Sequence, residues 1–198
     1  HATSVVVDED GSFTLSTGGA NVENAGVLSV SGDTEGAVVL LGENVTSSGE
    51  IRADSTSAHT AGSIEIHSVD TTLITEEGQV SANATNGQGG DIKLLGDKVG
   101  VTDSANVSAS GSTGGGQILV GGDETGSNPL IRNAQFIYLG ENTDISADAT
   151  IDGDGGRLIS FAENTARIYG NLSATGAEFG GNGGFIETSG LRGFEFLI

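Results

Sequence analysis

The 198-residue chain holds 34 glycines, one proline, no cysteine, methionine or tryptophan, and 27 acidic residues against 7 Lys and Arg, a formal charge of −20. That surplus repels nucleic-acid phosphates and anionic membrane surfaces, and without cysteine there are no disulfides, thiolate zinc sites or thiol nucleophiles. No apolar run reaches the ~20 residues of a membrane span, and 35% hydrophobic content in evenly spaced clusters argues against disorder.

At the start, His1 to Asp10 lacks the basic opening and apolar run of a signal peptide, so an exported protein is expected to hold this sequence as an internal piece. From residue 11 a pattern Gly-x-apolar-x-apolar recurs. It opens at Gly11-Ser-Phe13-Thr-Leu15, Gly36-Ala-Val38-Val-Leu40, Gly62-Ser-Ile64-Glu-Ile66 and Gly90-Asp-Ile92-Lys-Leu94. It continues at Gly116-Gln-Ile118-Leu-Val120, Gly156-Arg-Leu158-Ile-Ser160 and Gly184-Phe-Ile186-Glu-Thr188. The intervals are 25, 26, 28, 26, 40 and 28 residues.

A second column, apolar-x-small, keeps step: Leu28-Ser-Val30, Ile51-Arg-Ala53, Val80-Ser-Ala82, Val107-Ser-Ala109, Ile145-Ser-Ala147 and Leu172-Ser-Ala174. A third apolar column precedes each of these by six residues: Val22, Val45, Ile74, Val101, Leu139 and Ala166. The alternation is that of strands, and no segment has a helical period. Three strands per ~26 residues cannot close a core alone, but parallel stacking on neighbouring copies does. The expected fold is all-β, a right-handed parallel β-helix of about seven coils with three short strands per coil, forming one segment over residues 1–198. The small residues are expected at a tight corner, and the glycines at turns whose backbone angles exclude side chains.

The fifth coil is irregular. Val120 and Leu139 are 19 positions apart, where other coils use 5 to 8, so residues 121–135 read as a loop excursion. It contains Asp123, Glu124, Asn128, Arg132 and Asn133, the candidate binding residues, because binding lodges on loops carried by rigid scaffolds. The alternative is a tolerated insertion. Either way, the core columns beside it are expected to need nothing from it.

The C-terminal 80 residues or so carry a resemblance. Gly116-Gln-Ile-Leu-Val-Gly-Gly-Asp123, Asn133-Ala-Gln135, Ser146-Ala-Asp-Ala149, Gly153-Asp-Gly-Gly156 and Gly180-Gly-Asn-Gly-Gly-Phe-Ile-Glu-Thr-Ser-Gly190 closely resemble the filamentous-haemagglutinin-like exoproteins of two-partner secretion systems. The resemblance implies a right-handed β-helix, export through an outer-membrane transporter of the two-partner type, and a secreted or cell-surface location. It also implies adhesion to a host or neighbouring-cell surface or glycan, haemagglutination or biofilm formation. It supplies no catalytic residue, metal or cofactor. The family's N-terminal secretion domain carries Asn-Pro-Asn motifs. Here the single proline is Pro129, in Asn128-Pro-Leu130, so the chain reads as shaft from downstream of that domain.

Other features admit plainer readings. His59 and His67 lack a third ligand at metal spacing. Asp8-Glu-Asp10 and Asp152-Gly-Asp154 suit turns as well as calcium. Scattered arginines and absent tryptophan fit poorly with a sugar-cleaving enzyme. The leading expectation is a structural and adhesive shaft, followed by a carbohydrate- or receptor-binding module using the fifth-coil loop, then a β-helical polysaccharide-degrading enzyme. Val5 to Val7 and Phe194 to Ile198 read as uncapped ends, from which end-to-end self-association is expected.

Overall fold

The repeated alternation folds into strands that each lie beside their copies in the next coil. The computed structural model describes residues 4–7, 13–16 and 20–196. The Asp8–Asp10 cluster, Gly11, Leu197 and Ile198 lie outside them. The only helical element among the described residues is a single three-residue turn, Glu124–Gly126.

The first face is built by Phe13–Ser16, Ala37–Ser47, Ser63–Ile74, Asp91–Leu95, Gln117–Val120, Arg157–Ile168 and Phe185–Gly190. They pair in parallel, with Phe13, Val38, Ile64, Ile92, Ile118, Leu158 and Ile186 in one register. The third face is a separate six-stranded sheet, Val27–Ser29, Glu50–Arg52, Gln79–Ser81, Asn106–Ser108, Asp144–Ser146 and Asn171–Ser173. Here Leu28, Ile51, Val80, Val107, Ile145 and Leu172 stack in the expected order. The second face adds Val22–Asn24, Lys98–Val101, Ala134–Leu139 and Gly193–Phe196 to the far halves of the three long strands. In those long strands, Ala37–Ser47, Ser63–Ile74 and Arg157–Ile168, the first two of the three expected segments run together. The chain is thus a parallel β-solenoid of about six full turns, close to the seven coils expected.

The third expected column is corrected. Val45 pairs with Thr72, not Ile74, and Leu139 pairs with Ile168, not Ala166. The true stacks are Val22, Val45, Thr72, Val99, Ile137 and Ala166, and beside them Ile74, Val101, Leu139 and Ile168. Both sets point inward, two residues apart. The middle coils hold two more residues in the turn to the third face, where Glu76 and Asp103 have φ of 57° and 58°. Asp103 braces that turn by accepting from the Thr75 hydroxyl at 2.6 Å and the Glu76 N–H at 3.1 Å.

The repeat glycines are also corrected. Positive φ occurs at Gly121, Gly126, Gly153 and Gly180, none of which opens a first-face strand. What Gly62, Gly90, Gly116, Gly156 and Gly184 provide is clearance, since a Cβ on Gly156 would overlap the Gly116 carbonyl oxygen, and likewise along the stack. Close backbone approach is the other use of a missing side chain. It closes each coil: the Gly62, Gly90, Gly116 and Gly156 N–H groups donate to the carbonyls of Ala53, Ala82, Ala109 and Ala147 at 2.7–2.9 Å. The small corner residues and the glycines are two halves of one closure.

Just outside that corner runs a polar ladder. Asp54 accepts from the Ser81 hydroxyl at 3.0 Å and the Asn83 N–H at 2.8 Å. Asn83 does the same for Ser108 and Ser110, and Asp148 for Ser173 and Thr175. Ser108, one position on from the buried Val107, has its hydroxyl held within this ladder.

At the N-terminal end, Val5–Val7 is not an uncapped parallel edge. Ser4–Val7 pairs antiparallel with Phe13–Ser16, so the parallel stack ends in a reversed strand. At the other end Phe185–Gly190 and Gly193–Phe196 both pair with Arg157–Ile168, and Phe185, Ile186 and Phe194 are exposed.

Candidate functional site

The excursion between Gln117–Val120 and Ala134–Leu139 lies against the outer surface of the first face. Outward positions on that face are polar in neighbouring coils, as at Glu65, Lys93 and Glu187, in one register with Leu119 and Ile159. Leu119 and Ile159 are nonetheless fully buried, in a second apolar cluster with Phe161 on which Ile131 packs. The interior columns beside the excursion are complete without it, but this outer cluster is not. Burying a Leu or Ile side chain is worth about 1.5–3 kcal/mol, so the excursion is more than a loose insertion.

Its backbone turns at Gly121, Thr125 and Gly126, all with positive φ. A Cβ on Gly126 would strike the Phe161 ring, so the chain passes directly over the aromatic face. Asp123 caps the turn Glu124–Gly126 by accepting from the Glu124 N–H at 2.7 Å.

The five candidate residues separate into three groups. Asp123, Glu124 and Asn128 come together around Arg157 of the sixth coil. Arg157 donates to Asp123 at 3.0 Å, to Glu124 at 2.8 Å and to Gln117 at 3.1 Å, while the Asn128 amide donates to Asp123 at 2.8 Å. That amide bond, foremost, holds the Asp123 carboxyl below its usual range; burial opposes it, and the Glu124 N–H and Arg157 add to it. Asn133 sits on the other side, donating to the Gly126 carbonyl at 2.9 Å and to Glu163 at 3.4 Å. Arg132 points elsewhere, to the Ser68 carbonyl at 3.3 Å and Asp97 at 3.7 Å. At the far end Thr125 N–H donates to both Glu187 carboxylate oxygens at 3.1 Å. The excursion therefore spans the rod from the third coil to the seventh, and most of its polar groups are used in holding it there.

One opening remains. Asn133, Gln135, Glu163 and Arg192 line a cleft of about 380 Å³ between the excursion and the last coil, with Phe161, Thr125, Gly126 and Leu191 as its remaining walls. The Gln135 amide donates to Glu163 at 2.7 Å, and the Asn133 Oδ1 is buried without a hydrogen-bond partner. Arg157, Glu163, Gln135, Phe161 and Arg192 were not singled out by sequence. Part of the signal was there, because Ile118-Leu-Val120 and Leu158-Ile-Ser-Phe-Ala162 break the alternation and mark an outer face that something covers.

Among the described residues, no group of three or more His, Asp or Glu side chains is placed to hold a metal ion. In the Asp152-Gly-Asp154 turn, Asp152 accepts from the Gly153 N–H and Asp154 from Asn182. Among the described residues, no helix is long and apolar enough to cross a membrane.

Neither a family model nor a curated protein matches the chain. Among solved structures, the chain is similar to the HMW1 secretion domain from Haemophilus influenzae, with a TM-score of 0.74 and 28% identity. The match covers 88% of this chain and 45% of that one, so the chain spans less than half the length of the structure it resembles.

Proposed function

We propose that the chain is a β-helical shaft segment of a large secreted bacterial adhesin, exported through an outer-membrane transporter of the two-partner type. Its role is to carry binding regions away from the cell and to contribute to attachment or biofilm formation. What supports the export route is the similarity to a secretion domain over 88% of the chain, and what supports the shaft is the stack of coils around one apolar interior. A rod whose coils each close on a shared interior is mechanically suited to that task. The test expresses the parent exoprotein with and without a transporter of the two-partner type. The protein should reach the medium or cell surface only with the transporter; equal export without it would overturn the reading.

A second reading is favoured by one observation, the cleft at Asn133 and Glu163. In it the fifth-coil excursion is a carbohydrate- or receptor-binding module. A glycan array probed with the intact chain and with Asn133→Ala distinguishes the two. Binding that the substitution removes supports the module, and an array with no reactive glycan removes it. End-to-end association is proposed for the last coil, whose Phe185, Ile186 and Phe194 are exposed. Light scattering should show it growing with salt, as the charge of −20 is screened.

A further inference from the structure

Outward positions on the second face form two adjacent columns. Thr71, Lys98, Phe136 and Thr165 share one register; Leu73, Gly100, Tyr138 and Arg167 share the next. Gly100 stands where its neighbours carry large side chains. The missing side chain leaves a hollow of about 260 Å³ walled by Leu73, Phe136 and Tyr138. Phe136 and Tyr138, the outward residues of this strand, are aromatic yet 44% and 43% exposed. Tyr169 braces the wall from the next coil, its ring 5.7 Å from that of Tyr138 and edge-on to it. Both tyrosines of the chain are therefore gathered here.

The charged side chains that line the hollow are both cationic, with Asp70 pairing Lys98 at its edge. The lining includes Lys98 and Arg167 and no carboxylate, in a chain with 27 acidic residues and 7 Lys and Arg. Lys98 bonds Asp70 at 2.7 Å, and its ammonium has two further donors. Asp70 holds Lys98 protonated by raising its pKa, foremost through that hydrogen bond. Repulsion from the rest of the chain is screened beyond about 8 Å at physiological salt. The volume lies below the about 300–1,000 Å³ of drug-sized pockets, which suits a single ring.

We infer that this hollow binds one pyranose ring of an acidic polysaccharide, a hexuronate, with its apolar face on Tyr138 and Phe136 and its carboxylate toward Lys98 and Arg167. Threonine hydroxyls at Thr71, Thr102 and Thr165 on the rim, each already donating to a neighbour, keep lone pairs that can accept from ring hydroxyls. The site is separate from the fifth-coil excursion and does not depend on the proposed export route.

The absence of tryptophan makes the test direct, because fluorescence excited above the phenylalanine band comes from Tyr138 and Tyr169 alone. The 198-residue chain would be titrated with methyl glucuronide, with methyl glucoside and with acetate. The glucuronide should give a saturable change at millimolar concentration. The glucoside should bind about tenfold more weakly, the equivalent of one charge-assisted contact, and acetate should give no saturable change. In Gly100→Val the new Cβ presses on the flexible end of Leu73 at 2.9 Å, and the methyls beyond it occupy the hollow. It should abolish the response at an unchanged melting temperature. Should that variant fail to fold, Lys98→Gln, read the same way, should bind the glucuronide no better than the glucoside. No saturable response to the glucuronide, equal affinity for all three probes, or wild-type binding by Gly100→Val or Lys98→Gln would overturn the assignment.

Discussion

The regular coils and the fifth-coil excursion hold themselves together in different ways. In the coils, each contact is one of a series. Val107 sits between Val80 and Ile145, fully buried, as its copies sit between theirs, and the ladder of Asp54, Asn83 and Asp148 repeats one set of hydrogen bonds three times. In the excursion no contact has a copy. Arg157, Glu187 and Ser68 each hold a different point of it, and Ile131 alone among its apolar residues packs on the outer cluster. A column accepts any residue of the right class, whereas the excursion needs particular partners. Repetition is what makes a structure readable from one sequence.

The largest effect should follow from breaking a column. Val107→Asp puts a carboxyl between two apolar neighbours, and even a neutral carboxyl buried there costs about 2–7 kcal/mol. Against a typical stability of about 5–15 kcal/mol that is a large share. Circular dichroism melting should fall steeply; an unchanged melting temperature would show that the interior is not where the stacking places it.

Cutting out the excursion comes next. Replacing residues 122–133 by a short turn leaves loop-closure entropy almost unaltered, but it uncovers Leu119, Ile159 and Phe161. The expected loss is about 2–4 kcal/mol, less than full exposure of all three because the denatured chain also shelters apolar surface. Introducing Leu119→Lys, Ile159→Glu and Phe161→Ser together, which copies Lys93, Glu187 and Ser189 in the same registers, should restore most of the loss. A shortened chain as stable as the original would mean the outer cluster contributes nothing.

What could be read beforehand follows the same division. The first and third faces were legible because alternation places Ile64 and Ile66, or Val107 and Ala109, on one side without knowledge of the turns. The second face was legible in direction but not in register. Val45 was matched to Ile74 because a two-residue slip keeps every side chain on its original side, and hydropathy is blind to it. The glycines were located correctly for the wrong reason, since backbone-to-backbone clearance between Gly116 and Gly156 leaves no trace in a single strand. The excursion itself was visible from spacing, but its end was not, since Ala134 and Gln135 already belong to the strand Ala134–Leu139. Its attachment to Arg157, 34 residues from Asp123, depended on a contact no local pattern records. The Gly100 hollow was hidden too, because one glycine in a strand becomes a site only when Tyr138 lies beside it.

Ser108→Asp tests the ladder more gently. The Ser108 hydroxyl donates to Asn83 Oδ1 at 2.8 Å and accepts from Ser146 at 2.9 Å. An ionised aspartate keeps the second role and loses the first, facing an acceptor with an acceptor. The cost should be about 1 kcal/mol, the typical net worth of one hydrogen bond. A change below about 0.5 kcal/mol, as at ordinary surface sites, would show that the ladder adds nothing to stability.

The smallest effect concerns the one carboxylate that ties the excursion together. Asp123 has its pKa lowered in the folded chain from the ordinary 3.8, foremost by the Asn128 amide and then by the Glu124 N–H and Arg157. A depressed carboxylate stabilises the fold fully above its unfolded pKa, and that contribution is lost as pH falls through the folded value. Between neutral pH and about pH 5 the excursion should therefore be indifferent to acid, loosening only below 3.8. The gain is small, a few tenths to about 1 kcal/mol, because the pair with Arg157 is partly open to solvent. Other carboxylates titrate in the same range, including Asp103 beside Thr75, so overall melting cannot isolate Asp123. The Glu124 amide can, since its N–H donates directly to the Asp123 carboxylate at 2.7 Å. Its nitrogen and proton shifts, followed by NMR as pH is lowered, should move with a midpoint below 3.8. In Asp123→Asn they should show no such transition, while the amides of Val80 and Val107 report the same rod in both chains. A midpoint at or above the ordinary carboxylate value would detach Asp123 from Asn128 and Arg157, leaving the excursion to its other anchors at Ile131, Glu187, Ser68 and Glu163.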